Sequence, residues 1–200
     1  MTVDHSEDRF GKRLTWVPFA ALGILAITGL IEWFMGRLPL GPDGRFGLWE
    51  PNIWSSEQSQ RLLDPYSFSH FIHGMLLYAV LTRVFSTAPL RCRFVTALLF
   101  EAGWELLENS PIIINRYRSV TIALGYEGDS ILNSMSDILM VALGFWFTYK
   151  QRPWVSMAAI VLMEVGTLLW VRDNLTLNVI MLVHPVEVIR HWQLAAQPPP

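Results

Sequence analysis

Residues 14–35, LTWVPFAALGILAITGLIEWFM, form an apolar run of 22 residues whose only charge is Glu32, close to its end. About 20 such residues span the hydrocarbon core of a bilayer, so this run reads as a transmembrane helix. A secretory signal peptide has a shorter apolar region and a small-residue cleavage site. Here Glu32, Trp33, Phe34 and Met35 close the run instead, and the segment is read as retained. Four further spans are expected over 68–85, 94 to about 114, 131–149 and 154–171, with Pro111 kinking or ending the third. The fold class is therefore all-α: a polytopic membrane helix bundle with five spans. A sixth stretch, 175–189, is interrupted by His184, Pro185 and Glu187; it is short for a crossing and reads as an interfacial or re-entrant C-terminal helix.

Composition agrees, since 52% of the residues are hydrophobic and only 16% are charged, below the roughly 25% of soluble domains. A net charge of −2 leaves no basic surface for nucleic acid, and the single Cys92 excludes an internal disulfide and a thiolate zinc cluster. The expected organisation is a cytoplasmic segment 1–13, one helical membrane domain 14–192 with a periplasmic loop 36–66, and a disordered tail 193–200. In the loop, prolines and glycines mark turns, with a short helix expected near 55–63. Topology follows from the short basic loops. Arg91 and Arg93 lie in one and Lys150 and Arg152 in another, both free of acids and on the same side, which puts the N-terminus in the cytoplasm.

The residues that carry chemistry are those that are costly to bury. A carboxylate at the centre of a spanning helix costs roughly 2.5 to 3.5 kcal/mol on insertion scales, so such groups face a bundle interior or a wet cavity. Glu101, Glu105 and Glu108 are spaced i, i+4, i+7 and share a helix face, as do His70 and His73 at i, i+3. With the N-terminus inside, these residues, Asn109, and Asp129, Asn133 and Asp137 at the head of the fourth span converge on the outer half of the bilayer. The catalytic candidates are His70, His73, Glu105, Glu108 and Asp137. Arg116, Tyr117, Arg118, Asp129 and Asn133 are the candidates for substrate binding. Glu32 is expected to reach water, and Glu164 to be either a protonated, hydrogen-bonded acid or part of a proton path.

The order Asp64-Pro-Tyr-Ser-Phe-Ser-His70-Phe-Ile-His73-Gly74, then Glu101-x-x-x-Glu105-x-x-Glu108-Asn109, Arg116-Tyr117-Arg118-Ser119 and Gly128-Asp129-Ser130-Ile-Leu-Asn133-Ser134-Met-Ser-Asp137 resembles an uncharacterised bacterial inner-membrane protein family, a domain of unknown function, over most of the chain. More distantly it is similar to the VanZ-like family. That likeness carries over Asp64, His70, Phe71, Glu101 or Glu105, Arg116 or Arg118, Asp137 and Gly144. It departs from the pattern where Pro65 replaces an expected basic residue and an acid replaces a glutamine in the third span. The resemblance implies a cell-envelope compartment.

Two histidines among five carboxylates suit zinc, iron or manganese, with His70, His73 and Glu105 as candidate ligands of a divalent metal. No Glu-x-x-His pair and no zincin motif is present, and an ion-paired network with Arg116 or Arg118 capping Glu108 or Asp129 fits the same residues. No nucleophile elbow, phosphate-cradling loop or facing pair of haem ligands occurs. Three function classes stay open at this point. One is an envelope enzyme or binding protein for an amphiphilic or lipid-linked molecule; another is a non-catalytic partner of a second membrane protein. The third, a small proton-coupled transporter, is supported by Glu164 alone and disfavoured by the lack of an inverted repeat.

Overall fold

A computed structural model describes residues 16–197, and among these residues every regular element is a helix. In chain order they are α1 (Val17–Phe34), α2 (Ser67–Val84), α3 (Leu90–Glu108), α4 (Pro111–Val120), α5 (Ile131–Lys150), α6 (Pro153–Val171), α7 (Leu175–Val183) and α8 (Glu187–Leu194). The expected segment 1–13 lies outside the described residues. Three helices, α1, α5 and α6, are long and apolar enough to cross a membrane. The 18-residue α2 and 19-residue α3 match them in length but carry His70, His73 and Arg83, and Arg91, Arg93, Glu101, Glu105 and Glu108.

The distribution of side chains is inverted relative to a soluble bundle. Glu32, Asp64, Glu101, Glu105, Asn109, Asn133 and Asp137 are buried, while Phe19, Leu22, Leu99, Phe100, Leu143, Leu162 and Leu169 are exposed. Water penalises such an arrangement and hydrocarbon favours it, which agrees with membrane association. Prolines set several boundaries. Pro111 opens α4 in place of continuing α3, which stops at Glu108, and Pro153 opens α6 directly after the 151–152 turn.

The centre of the bundle is α5, which contacts α1, α2, α3 and α6. Ile138 packs with Ile24, Leu98 and Ala102, and Phe145 with Leu81 and Ala97. The approach of α2 to α5 is close enough to require glycine on both sides. A methyl group at Gly74 would collide with the Val141 carbonyl, and one at Gly144 with the Phe71 carbonyl. This contact brings His70 of α2 opposite Asp137 of α5.

The segment between α1 and α2 is built of turns, and the helix expected near 55–63 does not form. Its backbone is used otherwise: Ser59, with φ of 60°, donates its N–H to Asp64 Oδ2 at 3.1 Å, and the Leu63 amide pairs with the Leu48 carbonyl beside an isolated Trp49–Leu63 bridge. Arg61 ties the loop together through Asp43, at 2.6 Å, and Glu57, at 3.3 Å. The loop then docks on the start of α5. The Ser130 amide donates to the Ser59 carbonyl, that of Ile131 to Leu38, and the Asn133 side chain to the Arg61 carbonyl. Amides left unpaired at a helix start are satisfied here by the loop and by Ser130, whose Oγ accepts from the Asn133 amide.

At the other terminus the 175–189 stretch is divided at His184 and Pro185 into α7 and α8, of 9 and 8 residues, neither of crossing length. The first two residues of the expected tail, Gln193 and Leu194, belong to α8. Gln193 lies in α8, is 1% exposed, and donates to the Arg172 carbonyl and Asp173 Oδ1.

Candidate functional site

The buried acids and histidines gather at the end of the bundle where α1 and α3 finish and α2 and α5 begin. His70 is the hub. Its Nδ1 lies 2.5 Å from Glu101 Oε1 and 3.5 Å from Glu105 Oε1, and its Nε2 lies 3.8 Å from Asp137 Oδ2. Three acids on two helices thus surround one imidazole. His73, one turn further along α2, reaches Glu101 at 3.4 Å, and the two imidazoles meet edge to face with centroids 5.4 Å apart. Glu101 is the acid to which both histidines point, although the candidate catalytic set names Glu105 and Glu108. Helical spacing puts all three on one face but does not fix the axial offset between α2 and α3.

A second layer lies toward the loops. Asn109 follows α3 and donates to Asp129 Oδ2 and Ser134 Oγ, both at 3.2 Å, while its Oδ1 accepts from the Asp129 amide at 2.7 Å. The Tyr126 hydroxyl donates to Asp129 Oδ1 at 3.0 Å. Burial pushes the Asp129 carboxyl up to about 6, against the Tyr126 and Asn109 hydrogen bonds that lower it. Tyr117 is buried with its hydroxyl on Glu108, and burial together with that carboxylate raises it well above the usual phenol range.

Several of the expected site residues make structural contacts. Arg116 donates from Nε and Nη2 to the Leu182 carbonyl at 3.0 and 2.8 Å, and Arg118 donates to the Tyr126 carbonyl and lies 3.6 Å from Glu127. Neither caps Glu108 or Asp129, because Arg116 ties α4 to α7 and Arg118 ties α4 to the segment that follows it. Asn133 is taken by the loop between α1 and α2 and Asp129 by Asn109 and Tyr126, so both hold the backbone of the site in place. Glu32 does not reach water; it is 0% exposed, beside Ser134. The signal for its burial is the run Ile24, Thr28, Glu32 at i, i+4, i+8, which forms one inward stripe of α1. Glu164 accepts from the Leu175 and Thr176 amides and the Thr176 hydroxyl, capping the first turn of α7. Its position explains a lone acid in an apolar helix without a proton path.

The charge of the cluster is unbalanced. Among the described residues the basic groups within 4.0 Å of Glu101, Glu105 and Asp137 are His70 and His73 alone. Both carboxylate oxygens of Glu105, Oε2 of Glu108 and Oδ1 of Asp137 are buried without a hydrogen-bond partner. Beside His73 and Glu101 the bundle opens into a groove of about 300 Å³ between α2 and α3, lined by Leu76, Leu77, Val80, Phe100 and Trp104.

Comparison with known proteins gives the family. Residues 32–195 match the model described as Protein of unknown function (DUF2585). The chain is 48% identical to a UPF0314 protein of Sphingopyxis alaskensis over 182 residues, covering 91% of this chain and 96% of the relative. It is 46% identical to a UPF0314 protein of Agrobacterium fabrum over 195 residues, covering 98% of each. No solved structure matches. With matches of this extent, the chain belongs to the DUF2585 family of proteins of unknown function, alongside relatives named UPF0314 proteins.

Proposed function

We propose that this protein is a multi-pass inner-membrane protein whose buried His/Glu/Asp site binds the polar head of an amphiphilic or lipid-linked envelope molecule and offers it acid–base groups. The observation that carries the reading is the junction of two surfaces. The polar cluster meets the apolar groove at His73 and Glu101, the two cluster residues that line it. From that junction Leu76, Leu77 and Val80 continue along α2 toward its C-terminal end. A molecule with a polar head and an apolar chain matches this sequence of surfaces, head at His73 and chain along the groove.

The topology follows from the basic turns. With the N-terminus in the cytoplasm, α1, α2, α3, α5 and α6 are five spans, and the cluster lies in the periplasmic half. Mean apolarity understates α2 and α3 because their polar residues point inward. Entry is then sideways from the outer leaflet. In this account His73, 24% exposed in its side chain, meets the ligand directly, while His70, 10% exposed, acts from behind through Glu101. Native mass spectrometry of the full chain released from mild detergent tests the reading. One retained amphiphile per chain is expected, lost in Val80→Trp, which fills the groove without touching the acids. A wild-type protein that retains none, or a Val80→Trp variant that retains it fully, contradicts the proposal.

A further inference from the structure

The orphaned oxygens lead further. We infer that His70, Glu105 and Glu108 hold one divalent first-row metal ion, with zinc, manganese and iron(II) the chemistry that fits.

One ligand atom each from His70, Glu105 and Glu108 lie within 4.8 Å of one another. A second trio, His70, His73 and Glu101, meets the same distance criterion, but its carboxylate already serves both imidazoles. The first set is different. Glu105 is 0% exposed with neither oxygen paired, Glu108 has one buried unpaired oxygen, and so does Asp137. Protonation does not repair this, because a neutral carboxyl in the same place still has an O–H and a C=O without partners. A cation beside them offers Glu105 and Glu108 the partner that their buried oxygens lack.

The surroundings are those of a metal ligand. Glu101 accepts from His70 Nδ1 at 2.5 Å, which leaves the Nε2 lone pair free and aims the ring at Asp137. A carboxylate on the far nitrogen is the usual support of a metal-bound imidazole. The Nε2 to Asp137 Oδ2 separation of 3.8 Å is too long for a hydrogen bond. Charge points the same way, since the nearby Arg37, Arg116 and Arg118 all spend guanidinium N–H groups on main-chain carbonyls. One imidazole with several carboxylates suits zinc, manganese or iron(II), and the absence of thiolate disfavours softer ions. The ligands come from α2 and α3, which is why no Glu-x-x-His pair on one helix announces them.

This inference rests on the reading above for what the ion does, whereas its binding is measured separately. The full chain is purified in detergent through a tag that does not bind metal, without chelator, and its metal content is measured by mass spectrometry. About one ion per chain is expected. Chelation should lower the unfolding temperature, and Zn2+ or Mn2+ added alone should restore it. Glu105→Gln should lose the ion while matching the chelated wild type in stability. Glu101→Gln, which touches His70 and not the ion, should weaken binding about 10- to 100-fold. The assignment is overturned if the wild type carries no ion and Zn2+, Mn2+ and Fe2+ leave its unfolding unchanged, or if Glu105→Gln keeps full occupancy. A metal-free protein that still retains an amphiphile overturns the ion alone; a metal-loaded protein that retains none overturns the amphiphile alone.

Discussion

His70 Nδ1 and Glu101 Oε1, 2.5 Å apart across the α2–α3 interface, form the contact around which the rest of the polar cluster is arranged. The pair fixes the His70 tautomer with its N–H on Glu101 and its Nε2 toward Asp137. It is also the junction between the inner acids and His73 at the groove. The two histidines consequently differ in what their loss should do.

Replacing His70 by Ala removes the one basic group shared by three buried acids. The expected cost is about 1 to 3 kcal/mol, that of leaving the buried Glu101 carboxylate without the donor it accepts from. His73→Ala at the half-buried position should leave thermal unfolding in detergent nearly unchanged while abolishing any envelope phenotype that deletion of the protein produces. Equal destabilisation by the two variants would mean that His73 is part of the packing and not of the ligand site.

The glycine contact between α2 and α5 sets the distance from His70 to Asp137. Gly144→Ala places a methyl group against the Phe71 carbonyl, a backbone atom that cannot step aside as a flexible side chain does. Overpacking of this kind costs about 1 to 3 kcal/mol or more, so the variant should unfold at a visibly lower temperature. Gly103→Ala, where a methyl group meets nothing within 4 Å, is the control and should be neutral or slightly stabilising.

Asp173 supplies a pH dependence away from the cluster. Burial raises its carboxyl from 3.8 to about 6, although the Tyr66 hydroxyl and the Gln193 amide both hydrogen-bond it. A carboxyl that holds its proton more tightly in the folded state contributes stability that is full below its unfolded value and is lost as pH rises through the folded one. Its contribution therefore declines from about pH 4 to about pH 6. Asp173→Asn should make the unfolding temperature less sensitive to pH over that interval, with the largest gain over wild type above pH 6. An unchanged pH profile would show that Asp173 ionises freely.

The N-inside topology predicts that a reporter fused after Lys150 reads cytoplasmic and one inserted near Gly44 reads periplasmic. The reversed pair of readings would move the site to the other leaflet and remove the outer-leaflet entry.

Much of the cluster was legible because helical spacing is local information. The i, i+4, i+7 acids of α3 and the i, i+3 histidines of α2 need only 3.6 residues per turn to share a face. Offsets between helices are not local, so the identity of the acid under His70 depended on how far α2 slides along α3. Polar groups used by distant backbone were also hidden. Asn133 is paired with a carbonyl 72 positions away and Arg116 with one 66 away, and nothing in their own neighbourhoods marks them as structural. The outer loop looked helical over 55–63 by composition, but α5 and Asp64 draw its backbone into turns.

The most direct test of the amphiphile site is a photo-crosslinking amino acid placed at Leu77 in the groove, compared in cells with the same group at Leu162 on the exposed face of α6. Mass analysis of the adducts should show one class of head-bearing amphiphile enriched at position 77 and absent at 162, and the Val80→Trp change should remove it. If both positions capture the same bulk phospholipids in the same proportions, the groove is ordinary lipid-facing surface and the account is wrong.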